Sequence, residues 1–255
     1  MAALLSVRGD SQKQMERYIK VSRDMKITVE PPDINKSKRF FTPLEQENKI
    51  LFGLERVSGI GLNKVEEIIE NQPYESLKEV TEKLPKKVFN KTVGKNLIKA
   101  GAFREFEENR YKLLNDFYDI RKDKDERYSI DEYTEDACIE FEKDTLETPI
   151  TYLPYWDKIK ANSKITEQCI VVSLDERTDK KGGLMAFGDV KIQNSILRII
   201  VFASKYKKIR NDLSKSLKEG TVVSIKGKKD EKDTFIVNEV IKSQKRFNMP
   251  QVSVI

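Results

Sequence analysis

Arg56 to Ile69 reads RVSGIGLNKVEEII. Two glycines flank one isoleucine, and a run with helical spacing starts directly after them. A helix N-terminus carries unpaired amides and a partial positive charge. Gly59 and Gly61 add no side chain and tolerate unusual backbone angles, so a phosphate can approach the backbone there. Ile60 turns inward as an anchor. Asn63 and Lys64, in the first helical turn, add donors to the same phosphate. Upstream, Leu51, Leu54 and Val57 form the apolar face of a preceding helix. The pattern predicts helix, tight hairpin, helix, a unit that grips duplex backbone without reading bases, with Ser58, Gly59, Ile60, Gly61, Asn63 and Lys64 as its phosphate-binding set. A bare Gly-x-Gly equally closes an ordinary loop. The hydrophobics on both sides and a second helical pair downstream favour the phosphate site.

Leu62, Val65, Ile68 and Ile69 continue the apolar stripe, and Pro73 breaks it. TEKLPKKVFNKTVGKNLIKAGAF then predicts the second pair, with Val93, Leu97 and Ile98 on one face and Gly101 as the stop. Lys91, Lys95 and Lys99 are spaced along one helical face, as a solvated stripe or as further DNA contacts. Before the hairpin, residues 11–25 read as a helix capped by Ser11, with Met15, Tyr18, Ile19 and Ser22 on one side. KITVEPPDIN is extended and ended by Pro31-Pro32, and FFTPLEQENKILFGL gives short hairpin-like strands. Beyond the second pair, residues 104–148 are dense in charge. An amphipathic helix runs through Leu113, Leu114, Phe117 and Ile120. RKDKDER, with no apolar face, reads as a solvated helix end or a mobile connector. TPITYLPYWDKI carries Tyr152, Tyr155 and Trp156 among prolines and should wrap against a domain.

From Lys164 the period changes to two. ITEQCIVVSL, LMAFGDVKIQ and SILRIIVF are strands, split by the turn DERTDKKGG, where Gly182-Gly183 can take positive φ, and by Gln193-Asn194. SKYKKIRNDLSKSL is a helix capped by Ser204, and TVVSIKGKK and TFIVNEVI complete the set. Strand-strand-strand-helix-strand-strand is the connectivity of an OB barrel, though other small barrels share it. The predicted fold class is α+β, multidomain: an α-helical tandem helix-hairpin-helix domain followed by a five-stranded OB-fold barrel. Phe187, Arg198 and Phe202 are placed to touch or stack on bases, with barrel core as the competing reading for the two phenylalanines. Lys180, Lys181, Lys205, Lys207 and Lys208 would attract backbone. The expected division is an end segment 1–47, hairpin domain 48–110, connector 111–163, OB-fold 164–243 and tail 244–255.

The 255 residues are 35% charged with a net charge of +6, which suits a polyanionic partner. There is no histidine, which removes His-based metal sites and general bases, and Cys138 and Cys169 stand far apart, which fits a reducing compartment. No apolar run approaches the ~20 residues a bilayer span needs. MAALLS is too short for a signal peptide core. A cytoplasmic protein with no membrane partner is expected. Lysine far exceeds arginine, and Asn and Ile are plentiful, which points to an AT-rich coding source such as a phage or a low-GC bacterium.

MAALLS with the helix after it, KITVEPPDINKS, ILFGLERVSGIG, NKTVGKNLIKAGAF, FEKDTLETPITYLP and KKGGLMAFGDVKIQNSILRIIVF follow one another. In that order they resemble motifs of the bacterial replicative DNA polymerases of family C, the polymerase III alpha subunit. PPDIN and IKAGAF are the specific ones. Thr148 stands where the family's connector has glycine, its His-Pro is absent, and Asp189 with Gln193-Asn194 replaces an Asp-x-x-Gly turn.

The resemblance implies the region after the catalytic palm: the end of the fingers, the tandem hairpins on the new duplex, and the OB barrel near the single-stranded template. The family's catalytic aspartates and their Mg2+ lie in the palm, upstream. No catalytic residue, metal site or cofactor is therefore expected here, and Glu66-Glu67 reads as plain helix surface. Implied partners are primer-template DNA, single-stranded template, the palm and fingers as an upstream region or a separate chain, and the sliding clamp. The family's last domain, which contacts the clamp loader, falls beyond Ile255. Leu4, Leu5, Met15 and Ile19 are expected to need a partner to cover them. The chain would be a cut-out or one half of a split polymerase. A free-standing single-strand-binding or repair accessory protein is the alternative.

Overall fold

In the computed structural model, residues 1–8, 12–125, 127–193, 195–216 and 220–244 are described. The Ser11 cap, Asn194 and the tail from residue 245 lie outside them. The chain divides into two units, Met1–Tyr152 and Leu153–Ile255, and the boundary falls inside the aromatic TPITYLPYWDKI stretch.

The first unit opens with α1 (Ala2–Arg8) and α2 (Gln12–Asp24). Leu5, Met15 and Ile19 are buried in the same core as the hairpin residues Leu54, Val57, Ile60 and Val65. This corrects the expectation that a partner must cover them: of the four, only Leu4 stays exposed, at 43%. Three short strands follow, β1 (Thr28–Glu30), β2 (Thr42–Leu44) and β3 (Lys49–Leu51). β3 is central, with β1 parallel to it and β2 antiparallel. Pro43 sits on an edge strand, where its missing N–H costs no ladder bond.

PPDINKS is a buckle. Asp33 accepts from the amides of Asn35 (2.8 Å) and Lys36 (3.0 Å), and its own amide donates to Ser37 Oγ. Ser37 Oγ donates to the Phe52 carbonyl, the Ile34 amide to that of Ala102, and Asn35 pairs twice with the Tyr74 backbone. Asp33 and Ser37 are therefore buried with their polar groups hydrogen-bonded.

α3 (Leu62–Glu70), α4 (Leu77–Lys83) and α5 (Lys91–Ala100) carry the hairpins. Ser76 and Asn90 cap α4 and α5 through Glu79 N and Val93 N. Gly101, at φ +88°, ends α5, its amide bonding to Ile98 O and that of Ala102 to Leu97 O, a Schellman-type stop. The element before the first hairpin differs from expectation. It is one 3-10 turn, Leu54–Arg56, after β3 and an extended Gly53. Gly53 lies against the Arg39–Phe40 backbone, so that a Cβ there would come within 2.6 Å of Arg39 O. The chain stays extended to that point and has three residues left before the turn. Leu54 and Val57 are buried all the same.

α6 (Arg110–Arg121) buries Leu113, Leu114 and Phe117, and α7 (Glu135–Leu146) packs on α5. The charged stretch expected to be a solvated end or mobile connector instead folds back along α6. Arg127 bonds to Asn115 O and Asp119, Asn115 pairs with the Tyr128 backbone, and Tyr128 stacks on Tyr111 at 4.6 Å. The stretches separated in the sequence at residues 47 and 110 thus contribute to one core.

The second unit begins with α8 (Tyr155–Lys158). Strands β4 (Lys164–Thr178), β5 (Leu184–Ile192), β6 (Ser195–Val201), β7 (Val222–Lys229) and β8 (Phe235–Gln244) follow, with α9 (Ala203–Ser216) between β6 and β7. They close a barrel in the order β4-β5-β6-β8-β7. That order, with a helix after the third strand, is the OB fold. β4 pairs with both β5 and β7 and has an irregular register at Val171/Ser173, a bend of the kind that lets one strand serve two partners. Ala186, Val190, Leu197, Ile199, Val223, Ile225 and Phe235 fill the interior. Trp156 packs on Phe235 at 5.4 Å and donates to Asp233 O. Ser204 lies inside α9 rather than before it, because the helix starts at Ala203.

Candidate nucleic-acid interface

At the first hairpin, Ile60 N donates to Val57 O at 3.2 Å and closes a turn whose third residue, Gly59, has φ +76°. A type II turn requires positive φ at that position. Ile60 is buried as expected, whereas Ser58, Gly59, Gly61, Leu62 and Asn63 are exposed. Gly61 is the N-cap of α3 with ordinary extended angles (φ −86°, ψ 165°) and offers no side-chain cap. The amides of Leu62 and Asn63 thus have no intrahelical acceptor, while those of Lys64 and Val65 turn back to Gly61 O. A Cβ on Gly61 would meet nothing within 4 Å, so the space before the helix end is open. Lys64 Nζ lies 3.5 Å from Gly59 O, at the rim of that space.

The turn is held from behind. Asn96 Nδ2 on α5 donates to Ser58 O at 2.7 Å, and Ser58 N donates to Thr145 O on α7 at 2.9 Å. A Cβ on Gly59 would lie 3.3 Å from Asn96 Nδ2 and 3.6 Å from Thr92 Cγ2. Thr92 is exposed in the first turn of α5. Sequence reasoning missed both residues. An asparagine between Val93 and Leu97 was the available signal, and only the packing of α5 on the hairpin shows its use.

The lysine stripe of α5 faces groups of its own unit. Lys91 pairs with Asp125 at 2.6 Å, Lys99 with Asp144 at 3.6 Å and the Phe141 ring at 4.7 Å, and Lys95 lies 5.8 Å over Tyr118. The Asp125 hydrogen bond raises the Lys91 pKa. Lys86 and Lys87, in the turn between α4 and α5, are exposed and in no ion pair among the described residues, and the sequence reading did not single them out.

On the barrel, Phe187 and Arg198 share the outer face of β5 and β6. Phe187 is in register with Ile200, and Asp189 with Arg198. Neither Phe187 nor Phe202 belongs to the core. Phe187 is half-buried with Arg177 5.6 Å over its ring, and Phe202 is 45% exposed. Arg198 is 3.6 Å from Asp189. Lys180 and Lys181 stand exposed on a turn organised by Asp179, whose Oδ1 accepts from Lys181 N and Gly183 N. In that turn Gly182, not Gly183, takes positive φ. A Cβ on Gly183 would touch Ala203, so the turn lies beside the start of α9, where Phe202 and Lys205 are exposed. Lys207 and Lys208 are exposed farther along α9. Among the described residues, no group of three or more Cys, Asp or Glu is placed to hold a metal ion, and no helix is long and apolar enough to cross a membrane.

These elements define a class, a tandem helix-hairpin-helix unit followed by an OB-fold barrel. Residues 26–113 match a family model described as the helix-hairpin-helix motif. The chain is similar to DNA polymerase III subunit alpha of Aquifex aeolicus, 26% identical over 94% of this chain and 23% of that protein. The same subunit of Deinococcus radiodurans is 40% identical over 48% of this chain and 9% of its own length, and that of Thermus aquaticus 38% over 42% and 9%. The resemblance read from the motifs is thereby borne out. The chain spans between a tenth and a quarter, roughly, of the curated relatives' length. Among solved structures, a mitochondrial single-stranded DNA binding protein of S. cerevisiae is similar over 34% of this chain and 100% of its own, at 14% identity and a TM-score of 0.30.

Proposed function

We propose that this chain is a DNA-holding, non-catalytic portion of a family C replicative polymerase. The hairpins grip the backbone of primer-template duplex, and the outer face of β5–β6 receives the single-stranded template. The observation that carries the reading is the open, uncapped start of α3 behind a Gly-Ile-Gly turn bolted to α5 and α7, in a chain similar to polymerase III alpha. Such contacts position DNA without reading its bases. Catalysis and its Mg2+ belong to a palm outside this chain, met as an upstream region or a separate chain. Leu4 and Val7, exposed large apolar residues of α1, suit that contact, and a sliding clamp is a further partner of the assembled polymerase. The split arrangement, the phage source and the cytoplasmic location are part of the same proposal.

The test is fluorescence anisotropy of labelled primer-template, duplex and single-stranded DNA at low and moderate salt. Preference for the primer-template junction with a steep loss of affinity as salt rises supports the reading. Equal, weak binding to all three overturns it. Phe187→Ala is expected to weaken single-strand binding by about 1–3 kcal/mol. The unfolding temperature of the barrel should stay put, because the ring lies outside the core.

One observation favours a free-standing single-strand-binding accessory protein. Leu5, Met15, Ile19, Val29 and Ile34 are buried in the first unit's core, so the apolar residues of segment 1–40 are covered largely from within the chain. Deleting that segment would remove β1 and the buckle as well, and does not separate the two readings. Mixing the chain with a palm-and-fingers polypeptide does. A complex stable through gel filtration is expected from a polymerase portion and not from an accessory protein.

A further inference from the structure

The wall of the barrel formed by the N-terminal half of β4 and by β7 is a second basic surface. Lys164 of β4 and Lys228 of β7 are direct cross-strand partners, and Thr166 and Gln168 face Lys226 and Ser224 in the same ladder. All three lysines are exposed. Residues directly opposite in an antiparallel pair hold their Cβ atoms about 4.5–5.5 Å apart, and like charges there repel. Among the described residues, none of the three is in an ion pair. Glu239 of β8 is opposite Lys226, and Glu167, between Thr166 and Gln168 on β4, accepts from the Tyr155 hydroxyl. A lysine facing a lysine with no carboxylate between them is an arrangement that a bound polyanion relieves.

The side chains presented on this wall, Lys164, Thr166, Gln168, Ser224, Lys226 and Lys228, include no aromatic. It can hold phosphates and offers nothing for bases to stack on. β4 links it to the aromatic face: Lys164–Ile170 pairs with β7 and Ile170–Thr178 with β5, the β5 ladder having an irregular step at Val171/Ser173.

We propose that the β4–β7 wall is a backbone track for the continuation of the strand whose bases lie on the β5–β6 face. The proposal rests on the DNA-binding reading above and extends it to a surface that the sequence had not singled out. A strand long enough to leave the aromatic face passes along β4 onto Lys164, Lys226 and Lys228, which hold its phosphates.

The experiment compares the full chain with K164A/K226A/K228A on labelled oligo-dT of about 8 and about 30 nucleotides, lengths chosen to sit within and beyond the site of a single OB fold. For the longer strand, the slope of log K against log salt should fall by about 2, at about 0.7 per phosphate contact on single strands, and affinity at low salt should drop. The short strand should bind both proteins alike. An unchanged slope for the long strand, in a wild-type chain that binds it, overturns the track and leaves the DNA reading standing. Failure of the wild type to bind either strand removes the DNA reading instead. A general fall for both lengths overturns the track too, since it means that the lysines act as diffuse charge. Folding is read separately by thermal unfolding. Because the substitutions relieve a repulsive pair, the midpoint should hold or rise.

Discussion

Arg110→Met is expected to destabilise the first unit by about 3–5 kcal/mol, as removal of one partner of a buried ion pair does. Arg110 is 4% exposed and Glu142 fully buried, with Nη2 2.6 Å from Oε1. Arg110 Nη1 also donates to the Lys99 carbonyl at 2.6 Å. The Glu142 carboxylate accepts from the amides of Ile150 and Thr151 and from the Thr151 hydroxyl. The pair therefore joins the end of α5, the start of α6, the middle of α7 and the segment that leaves the unit. Methionine fills most of the arginine's volume, so the loss is electrostatic. It strands a buried carboxylate and orphans a carbonyl. R110M/E142M should recover part of that loss, because an apolar pair of similar volume often replaces a buried ion pair at little cost. Recovery is incomplete because the Ile150 and Thr151 amides lose their acceptor. Urea unfolding of both variants checks this. A single-variant cost below about 1 kcal/mol would mean that α6 and α7 are held by apolar packing alone. The site depends on the same joint, since Thr145, which holds Ser58 N, lies one turn along α7 from Glu142.

The barrel was legible because β5, β6 and β7 write their burial as alternation. β6 reads buried, exposed, buried through Ser195–Val201, and the position of α9 in the strand order selects the OB topology. Gly101 and the buried face of α5 were legible for the same local reason. What escaped the sequence was pairing at a distance. A row of lysines at helical spacing looks the same whether it faces water or, as at Lys91 and Lys99, an acid more than 30 residues away. RKDKDER has no apolar face, and its partners on α6 are polar and hydrogen-bonded, so hydropathy could not show that it folds back. PPDINKS looked like a family marker of unstated purpose. Its role is internal hydrogen bonding, which lets an aspartate and a serine be buried. At the hairpin, residue types identified the turn, but not that Asn96 and Thr145 clamp it or that only Gly59 of the two glycines uses positive φ.

That difference between the glycines gives the sharpest test of the site. Gly61→Asp should leave the first unit as stable as before, or more stable by about 0.5 kcal/mol, while duplex affinity falls tenfold or more. Residue 61 has the extended angles of an N-cap, and the position is open, with no atom within 4 Å of a new Cβ. Aspartate is a favoured N-cap, and its charge suits the positive end of α3. The same carboxylate would accept from the amides proposed to hold phosphate and would repel the phosphate itself. Each hydrogen bond to a charged group is worth about 1.5–3 kcal/mol, and about 1.4 kcal/mol is a factor of ten, so the loss of one suffices. Gly59→Ala should behave in the opposite way. At φ +76° an alanine costs about 1–2 kcal/mol, and its Cβ would crowd the Asn96 amide that holds Ser58. Stability falls first there, and binding falls only as the turn shifts. Thermal unfolding and duplex anisotropy on both variants separate two roles for Gly-Ile-Gly. A Gly61→Asp protein that is stable and still binds duplex normally would make the turn a piece of packing, with the duplex held elsewhere. A stable protein that no longer binds would place the phosphate at the mouth of α3.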